Sequence, residues 1–127
     1  MRVKTDIFAS ALMRRVFARG DFAAVERRGA DDAGAVFIRQ SFRDGTETLF
    51  APAPQSFFDT EDSGDRLFER RLDRVSRSET EAVLEREIRF DPDLWVLALE
   101  TEDITDLVAL ADGEPPPQSA ADSLFRR

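Results

Sequence analysis

Four carboxylates flank the only tryptophan of the chain, and their types and spacing come nearest to a chemical site. Asp91 and Asp93 precede the apolar run 94–99, and Glu100 and Glu102 follow it. Carboxylate oxygens suit hard cations such as Mg²⁺ and Ca²⁺, so one hypothesis is a divalent-cation-dependent enzyme that uses Asp91, Asp93 and Glu100. An intervening extended strand would separate Asp91 from Glu100 by roughly 20–25 Å, at about 3.3 Å per residue, which favours structural roles instead.

The composition removes the side chains that most enzymes use. The 127-residue chain contains no His, Cys or Tyr. It therefore lacks an imidazole base, a thiolate nucleophile, a Ser-His-Asp triad and any thiolate-ligated metal. We expect a non-enzymatic binding or interaction module that needs no cofactor.

The Asp-Gly dipeptide at 44–45 predicts a tight β-hairpin between residues 35–43 and 46–52. A two-residue turn sets a register in which Ile38 faces Ala51. One face of the hairpin then points to the core and carries Val36, Ile38, Phe42, Leu49 and Ala51.

The opposite face of the predicted hairpin carries Phe37, Arg39, Arg43 and Phe50, a candidate interaction surface. Single-stranded nucleic acid stacks on aromatic side chains beside cationic groups, so nucleic-acid binding is a second alternative. The net charge of −8, from 18 basic and 26 acidic residues, argues against a nucleic-acid partner. We therefore expect a protein partner of unknown identity, and the sequence is also compatible with a homo-oligomer.

Periodicity and cap residues predict two helices. The first covers residues 5–19, with Thr5 as its cap, and Gly20 ends it. The second starts at a capping box over 78–81 and stops before Pro92.

Several strands complete the predicted fold. Residues 22–27 and 66–75 have strand patterns, and 104–110 fit either a strand or a helix. Residues 94–99 are apolar on both faces, which is typical of a central strand. The fold class is therefore α+β, a mainly antiparallel sheet of four to five strands with two helices in the order α-β-β-β-(β)-α-β. We expect burial of Trp95, Val96, Leu97 and Leu99.

The chain is expected to form one α+β domain over residues 1–112. Residues 113–127 are predicted to form a disordered tail, because they contain a proline run and too few apolar residues to pack. The tail ends in the four residues Leu-Phe-Arg-Arg. That four-residue end either frays or docks onto a groove or an acidic surface. No apolar run reaches the roughly 20 residues of a membrane span, and no secretory signal is visible, so we expect a cytoplasmic protein with no membrane partner.

The Asp-Pro-Asp turn at 91–93 predicts a structural corner, built from Arg89, Asp91, Asp93 and Trp95. The run Arg-Phe-Asp-Pro-Asp-Leu-Trp-Val from Arg89 resembles the hallmark segment of a small alphaproteobacterial family catalogued only as a domain of unknown function. Two further pieces resemble the same family: residues 11–15, and residues 25–29 leading into 33–34. The resemblance covers about residues 2–103, and it implies no activity, cofactor or catalytic residue.

Overall fold

The computed structural model describes residues 4–54 and 66–111. Within them, the chain forms the elements α1 (Thr5–Ala18), β1 (Phe22–Arg27), β2 (Val36–Ser41), β3 (Glu47–Pro52), β4 (Leu67–Val75), α2 (Arg77–Phe90), β5 (Trp95–Glu100) and β6 (Ala109–Leu110). The α+β class with two helices is confirmed, and residues 104–110 end in a short strand. The predicted tail at 113–127 lies outside the described residues.

The sheet is mixed, and the described part of the chain contributes six strands in the spatial order β1-β5-β2-β3-β4-β6. The pairs β1–β5, β2–β3 and β3–β4 are antiparallel, whereas β2–β5 and β4–β6 are parallel. The predicted mainly antiparallel sheet of four to five strands is therefore wrong in both respects. Strand β4 runs in the same direction as β2, because both are antiparallel to β3. Helix α2 carries the chain back to the end of the sheet at which β4 began, so β5 also runs in the direction of β2.

The central strand β5 separates two cores, one on each face of the sheet. Trp95, Leu97 and Leu99 pack with residues of α1, while Leu94 and Val96 pack with residues of α2. Each of these five side chains is at most 1% exposed. The predicted central position and burial of this strand are confirmed, and the fold has three layers, helix–sheet–helix.

Both helices are capped by residues other than the predicted ones, although α1 begins at the predicted residue 5. Lys4 is the N-cap of α1 and makes no side-chain capping bond, while Thr5 is buried and donates its hydroxyl hydrogen bond to the carbonyl of Gly34 at 3.1 Å. Helix α2 is capped by Ser76, whose hydroxyl accepts a hydrogen bond from the backbone of Glu79 in a reciprocal capping box. The capping box therefore lies two residues before the predicted one at 78–81. In both, a serine is the N-cap and a glutamate is at the N3 position.

The hairpin register differs from the prediction by one residue. Ile38 pairs with Phe50, where Ala51 was expected. The reason is the loop, because the amide of Phe42 donates to the carbonyl of Thr46 at 3.0 Å and leaves three residues, 43–45, in the turn. Gly45 has a φ of +90°, which suits the left-handed last position of a three-residue hairpin loop.

Candidate functional site

A cleft of about 790 Å³ opens where the two parallel strands β2 and β5 end. The residues that follow these strands meet the turn between α1 and β1, because β1 begins at the end of the sheet where β5 terminates. The cleft is lined by three segments that are remote in sequence: Gly20, Asp21 and Phe22; Ser41, Phe42 and Arg43; and Glu100, Thr101 and Glu102. Its volume falls within the range of small-molecule and peptide-side-chain sites, roughly 300–1,000 Å³.

Thr101 fixes the floor of the cleft. Its carbonyl accepts a 2.8 Å hydrogen bond from Nε2 of Gln40, and its hydroxyl donates to Oδ2 of Asp21 at 2.5 Å. The same hydroxyl accepts from Nη1 of Arg19 at 3.0 Å. Thr101 and Gln40 are buried, so their polar groups depend on these partners. The bonds join β2, β5 and the α1–β1 turn into one rigid unit.

Arg19 holds the loop that follows β5. Its Nη1 donates to the carbonyl of Asp103 at 2.6 Å, and its Nη2 donates to both carboxylate oxygens of Asp106 at 2.5 and 2.6 Å. The hydrogen bond from Arg19 lowers the pKa of Asp106 below its ordinary value. The pKa of Asp103 is also lowered, because its carboxylate accepts hydrogen bonds from the backbone and hydroxyl of Thr105. The loop that follows the Glu100–Glu102 side of the cleft is therefore held in place by hydrogen bonds.

The mouth of the cleft carries carboxylates that have no partner within the described residues. Glu100 and Glu102 are exposed, and neither accepts a hydrogen bond nor forms an ion pair with another described residue. With Asp21 they contribute three negative charges, against the single positive charge of Arg43. The lining thus has a net charge of −2, as 1 − 3, and it favours a cationic ligand.

Aromatic side chains form the apolar part of the lining. Phe22 is 53% exposed and meets Phe17 edge to face at 6.1 Å between ring centroids. Phe42 lies under the guanidinium of Arg74, which is 3.6 Å from the ring centroid. Phe22 therefore offers accessible ring surface in the same cleft as the carboxylates, whereas one face of Phe42 is covered by Arg74.

The structure divides the four predicted surface residues between different environments. Phe37 packs with Leu49 on the α2 side of the sheet, whereas Phe50 packs with the α1 side, and both are buried. A shift of one residue in register exchanges the two faces of a strand, so the predicted hairpin face does not form. Of the four residues, only Arg43 reaches the cleft.

Arg39 is the centre of a buried ion-pair network on the α2 side. Its Nε donates to Glu47 at 2.8 Å, its Nη1 to Glu26 at 2.8 Å and its Nη2 to Glu81 at 3.2 Å. The side chains of Arg39 and Glu47 are each 6% exposed, while those of Glu26 and Glu81 are 41% and 52% exposed. This network joins β1, β2, β3 and α2, and Arg39 is a structural residue.

Electrostatics within this network reinforce the charged forms. Burial acts to lower the pKa of Arg39, but hydrogen bonds to Glu47 and Glu81 and the charge of Glu26 outweigh it and raise that pKa above its ordinary value. The hydrogen bond from Arg39 lowers the pKa of Glu81, with help from Arg77. Both shifts favour the charged forms of Arg39 and Glu81 at neutral pH.

The predicted carboxylate site is not assembled. Asp91 and Asp93 lie before the amino end of β5, and Glu100 lies at its carboxyl end. Among residues 4–54 and 66–111 no group of three His, Cys, Asp or Glu residues is arranged to hold a metal ion. Glu100 instead belongs to the cleft.

The predicted corner has the form of a compact turn. The backbone N–H of Asp91 donates to the carbonyl of Glu87 at 2.8 Å, and Oδ1 of Asp91 accepts from the N–H of Asp93 at 3.1 Å. The indole N–H of Trp95 donates to the carbonyl of Ala30 at 2.7 Å, which provides the acceptor that a buried indole needs. Arg89 is exposed on the last turn of α2.

The segments that carry the family resemblance pack against one another. The N–H of Ala30 donates to the carbonyl of Asp93 at 2.9 Å, and the guanidinium of Arg28 lies 4.9 Å from the Trp95 ring centroid. A Cβ on Gly29 would lie 2.0 Å from the carbonyl oxygen of Asp93, and one on Gly34 would lie 2.8 Å from the Trp95 ring. The resemblance therefore marks a packing requirement of the fold.

Comparison with known proteins assigns the chain to a family. A family model described as "Protein of unknown function (DUF1491)" matches residues 3–109, and the chain belongs to this family. None of the curated proteins matches the chain. Within the described residues, no helix is long and apolar enough to cross a membrane.

Solved structures of similar proteins share the fold. A protein of A. tumefaciens, solved in solution, is 56% identical with a TM-score of 0.79, over 91% of this chain and 98% of that one. A crystal structure of a DUF1491 family protein from Caulobacter crescentus CB15 is 36% identical with a TM-score of 0.66, over 81% and 90%. An NMR structure of a DUF1491 family protein from the same organism is 33% identical with a TM-score of 0.70, over 87% and 97%. These descriptions assign no activity.

Proposed function

We propose that this protein is a non-enzymatic cytoplasmic binding module, a single domain over residues 1–112, that binds a basic segment of a protein partner in the cleft. The observation that carries the proposal is the pair of exposed carboxylates, Glu100 and Glu102, at the mouth of a cleft with accessible aromatic rings. A guanidinium or ammonium group has both an ionic partner and a ring face there. A protein partner supplies such groups on a flexible segment.

The shape of the cleft supports binding of a side chain with its neighbours. The volume of about 790 Å³ accommodates two or three side chains. Thr101 and Arg19 hold the walls through hydrogen bonds that exist without a ligand, so binding requires little reorganisation.

The charge of the cleft opposes nucleic acid as the partner. Phosphate groups would face Asp21, Glu100 and Glu102, and among the described residues Arg43 alone adds a positive charge to the lining. The buried positions of Phe37 and Phe50 also remove the ring surface that the predicted hairpin face would have offered to bases.

The chemistry of the lining supports binding over catalysis. The chain has no His or Cys, and the carboxylates of Asp91 and Glu100 lie at opposite ends of β5. A cation-dependent enzyme would need these oxygens to converge on one ion.

Calorimetric titration with a capped pentapeptide, Ala-Phe-Arg-Arg-Ala, tests the proposal. We expect 1:1 binding to the full chain and at least a fivefold loss of affinity in E100Q/E102Q, which corresponds to about 1 kcal/mol for two exposed ion pairs. The charge-matched control, D32N/E85Q, alters two exposed acidic residues outside the cleft and should bind as the wild type does. Absence of binding, or equal losses in the two variants, would refute the proposal.

A further inference from the structure

We propose that residues 124–127 of this same chain, Leu-Phe-Arg-Arg, occupy the cleft and compete there with the partner. This inference rests on the proposed function, because it assigns the same site to a segment with the same chemistry. The occupant is intramolecular, so the cleft is self-blocked until a partner displaces the segment.

Charge complementarity supports this occupant. Arg126 and Arg127 are the first basic residues after Arg89, and nine acidic residues lie between 91 and 122. The carboxylates of Glu100 and Glu102 have no partner within the described part of the chain.

The apolar residues of the segment match the rest of the lining. Leu124 and Phe125 directly precede the two arginines. Phe22 and Phe42 line the same cleft as Glu100 and Glu102. One short segment can therefore satisfy both the apolar and the acidic parts of the site.

The direction in which the described chain ends also supports the inference. Strand β6 pairs in parallel with β4, and β4 runs in the same direction as β2 because both are antiparallel to β3. After β6 the chain therefore points toward the end of the sheet at which β2 and β5 terminate. The cleft lies at that end.

The number of intervening residues allows the segment to reach the cleft. The N–H of Ala111 is bonded to the carbonyl of Phe68, near the opposite edge of the sheet. The cleft lies about four strand spacings away, or about 19 Å sideways, and about 17 Å along the strands, so the straight distance is about 25 Å. Residues 112–123 span about 37 Å in an extended polyproline conformation.

Spin labelling of the full chain tests the inference directly. The sequence contains no Cys, so S123C gives a single attachment point for a nitroxide. We expect selective broadening of the amide resonances of residues 41–43 and 100–102. Residues 35–36 and 94–95, at the other ends of the same two strands, should be unaffected. Adding R126E/R127E to the labelled chain should abolish the broadening, whereas the charge-matched R86E/R89E on the exposed side of α2 should retain it.

Two results would overturn the inference. One is broadening that is absent, or that persists unchanged in R126E/R127E. The other is equal broadening when isotope-labelled chain without nitroxide is mixed with spin-labelled chain, because the occupant would then belong to a second copy.

Peptide affinity distinguishes failure of this inference from failure of the proposed function. If the segment occupies the cleft half of the time, R126E/R127E should bind Ala-Phe-Arg-Arg-Ala about twofold more tightly than the wild type. Binding of the peptide with no change in R126E/R127E would refute self-blocking and leave the binding function intact. Failure of the peptide to bind either chain would refute both.

Discussion

Removal of Arg39 should be among the most destabilising single changes in this protein. The substitution R39M leaves the carboxylate of Glu47, 6% exposed, without its guanidinium partner. Its remaining polar contact is the hydroxyl of Ser41 at 3.4 Å. Breaking a buried ion pair by removing one partner costs about 3–5 kcal/mol, and we expect a loss in this range.

The other two partners of Arg39 should contribute little to that loss. Glu26 and Glu81 are 41% and 52% exposed, so water solvates their carboxylates once the guanidinium is gone. Exposed pairs contribute about 0–1 kcal/mol. The expected cost therefore comes mainly from Glu47, and E81Q alone should lower the urea midpoint far less than R39M does.

Urea unfolding of R39M, E47M and R39M/E47M measures this cost. With a slope of about 2 kcal/mol/M, R39M should lower the unfolding midpoint by roughly 1.5–2.5 M. The double variant replaces both charges by apolar side chains and should recover to within about 1 kcal/mol of the wild type. If R39M loses less than about 1 kcal/mol, or the double variant is as unstable as R39M, the network does not have the role assigned to it.

Three further predictions concern other parts of the fold. G29A should unfold or severely destabilise the protein in thermal melts, because a Cβ would lie 2.0 Å from the carbonyl oxygen of Asp93; near-wild-type melting would contradict the close approach. D91A should lose about 0.5–2 kcal/mol in urea unfolding, because the corner loses the acceptor of a backbone N–H; an unchanged stability with lost peptide binding would indicate a direct role in function. Stability should fall as the pH drops below about 4, because folding lowers the pKa values of Glu81 and Asp106 below their ordinary values. The stabilisation from these carboxylates is complete above their ordinary pKa values. It is lost as the pH falls through their lower pKa values in the folded protein. If the urea midpoint of E81Q/D106N falls with decreasing pH as much as that of the wild type, the assignment to these two carboxylates is contradicted.

The sequence predicted the central strand because its signal is local. Residues 94–99 are apolar on both faces, which is typical of a strand whose two faces are both covered by packed elements. The direction of that strand relative to β2 depends on the crossover through α2, which hydrophobic periodicity does not encode.

The hairpin shows how a small local difference changed a functional hypothesis. Asp44-Gly45 identified the turn, but the loop contains three residues, and every side chain of β3 therefore faces the other side of the sheet from the prediction. This single shift moved Phe50 from the candidate surface into the α1 core and left Arg43 as the one member that lines the cleft.

The cleft could not be predicted because its walls come from three segments that are distant in sequence. Asp21, Arg43 and Glu100 are separated by at least 22 residues, and no spacing motif connects them. They meet only because β5 inserts between β1 and β2. Glu100 lines the cleft, whereas the sequence grouped it with Asp91, which lies at the other end of the strand.

The measurement that tests the central claim most directly is an amide chemical-shift titration of the full chain with Ala-Phe-Arg-Arg-Ala. We predict saturable shifts concentrated at residues 20–22, 41–43 and 100–102, with a markedly weaker response in E100Q/E102Q. Shifts that are absent, or that map to the Arg39 network or to the corner at 91–93, would contradict the assignment of the cleft as the binding site.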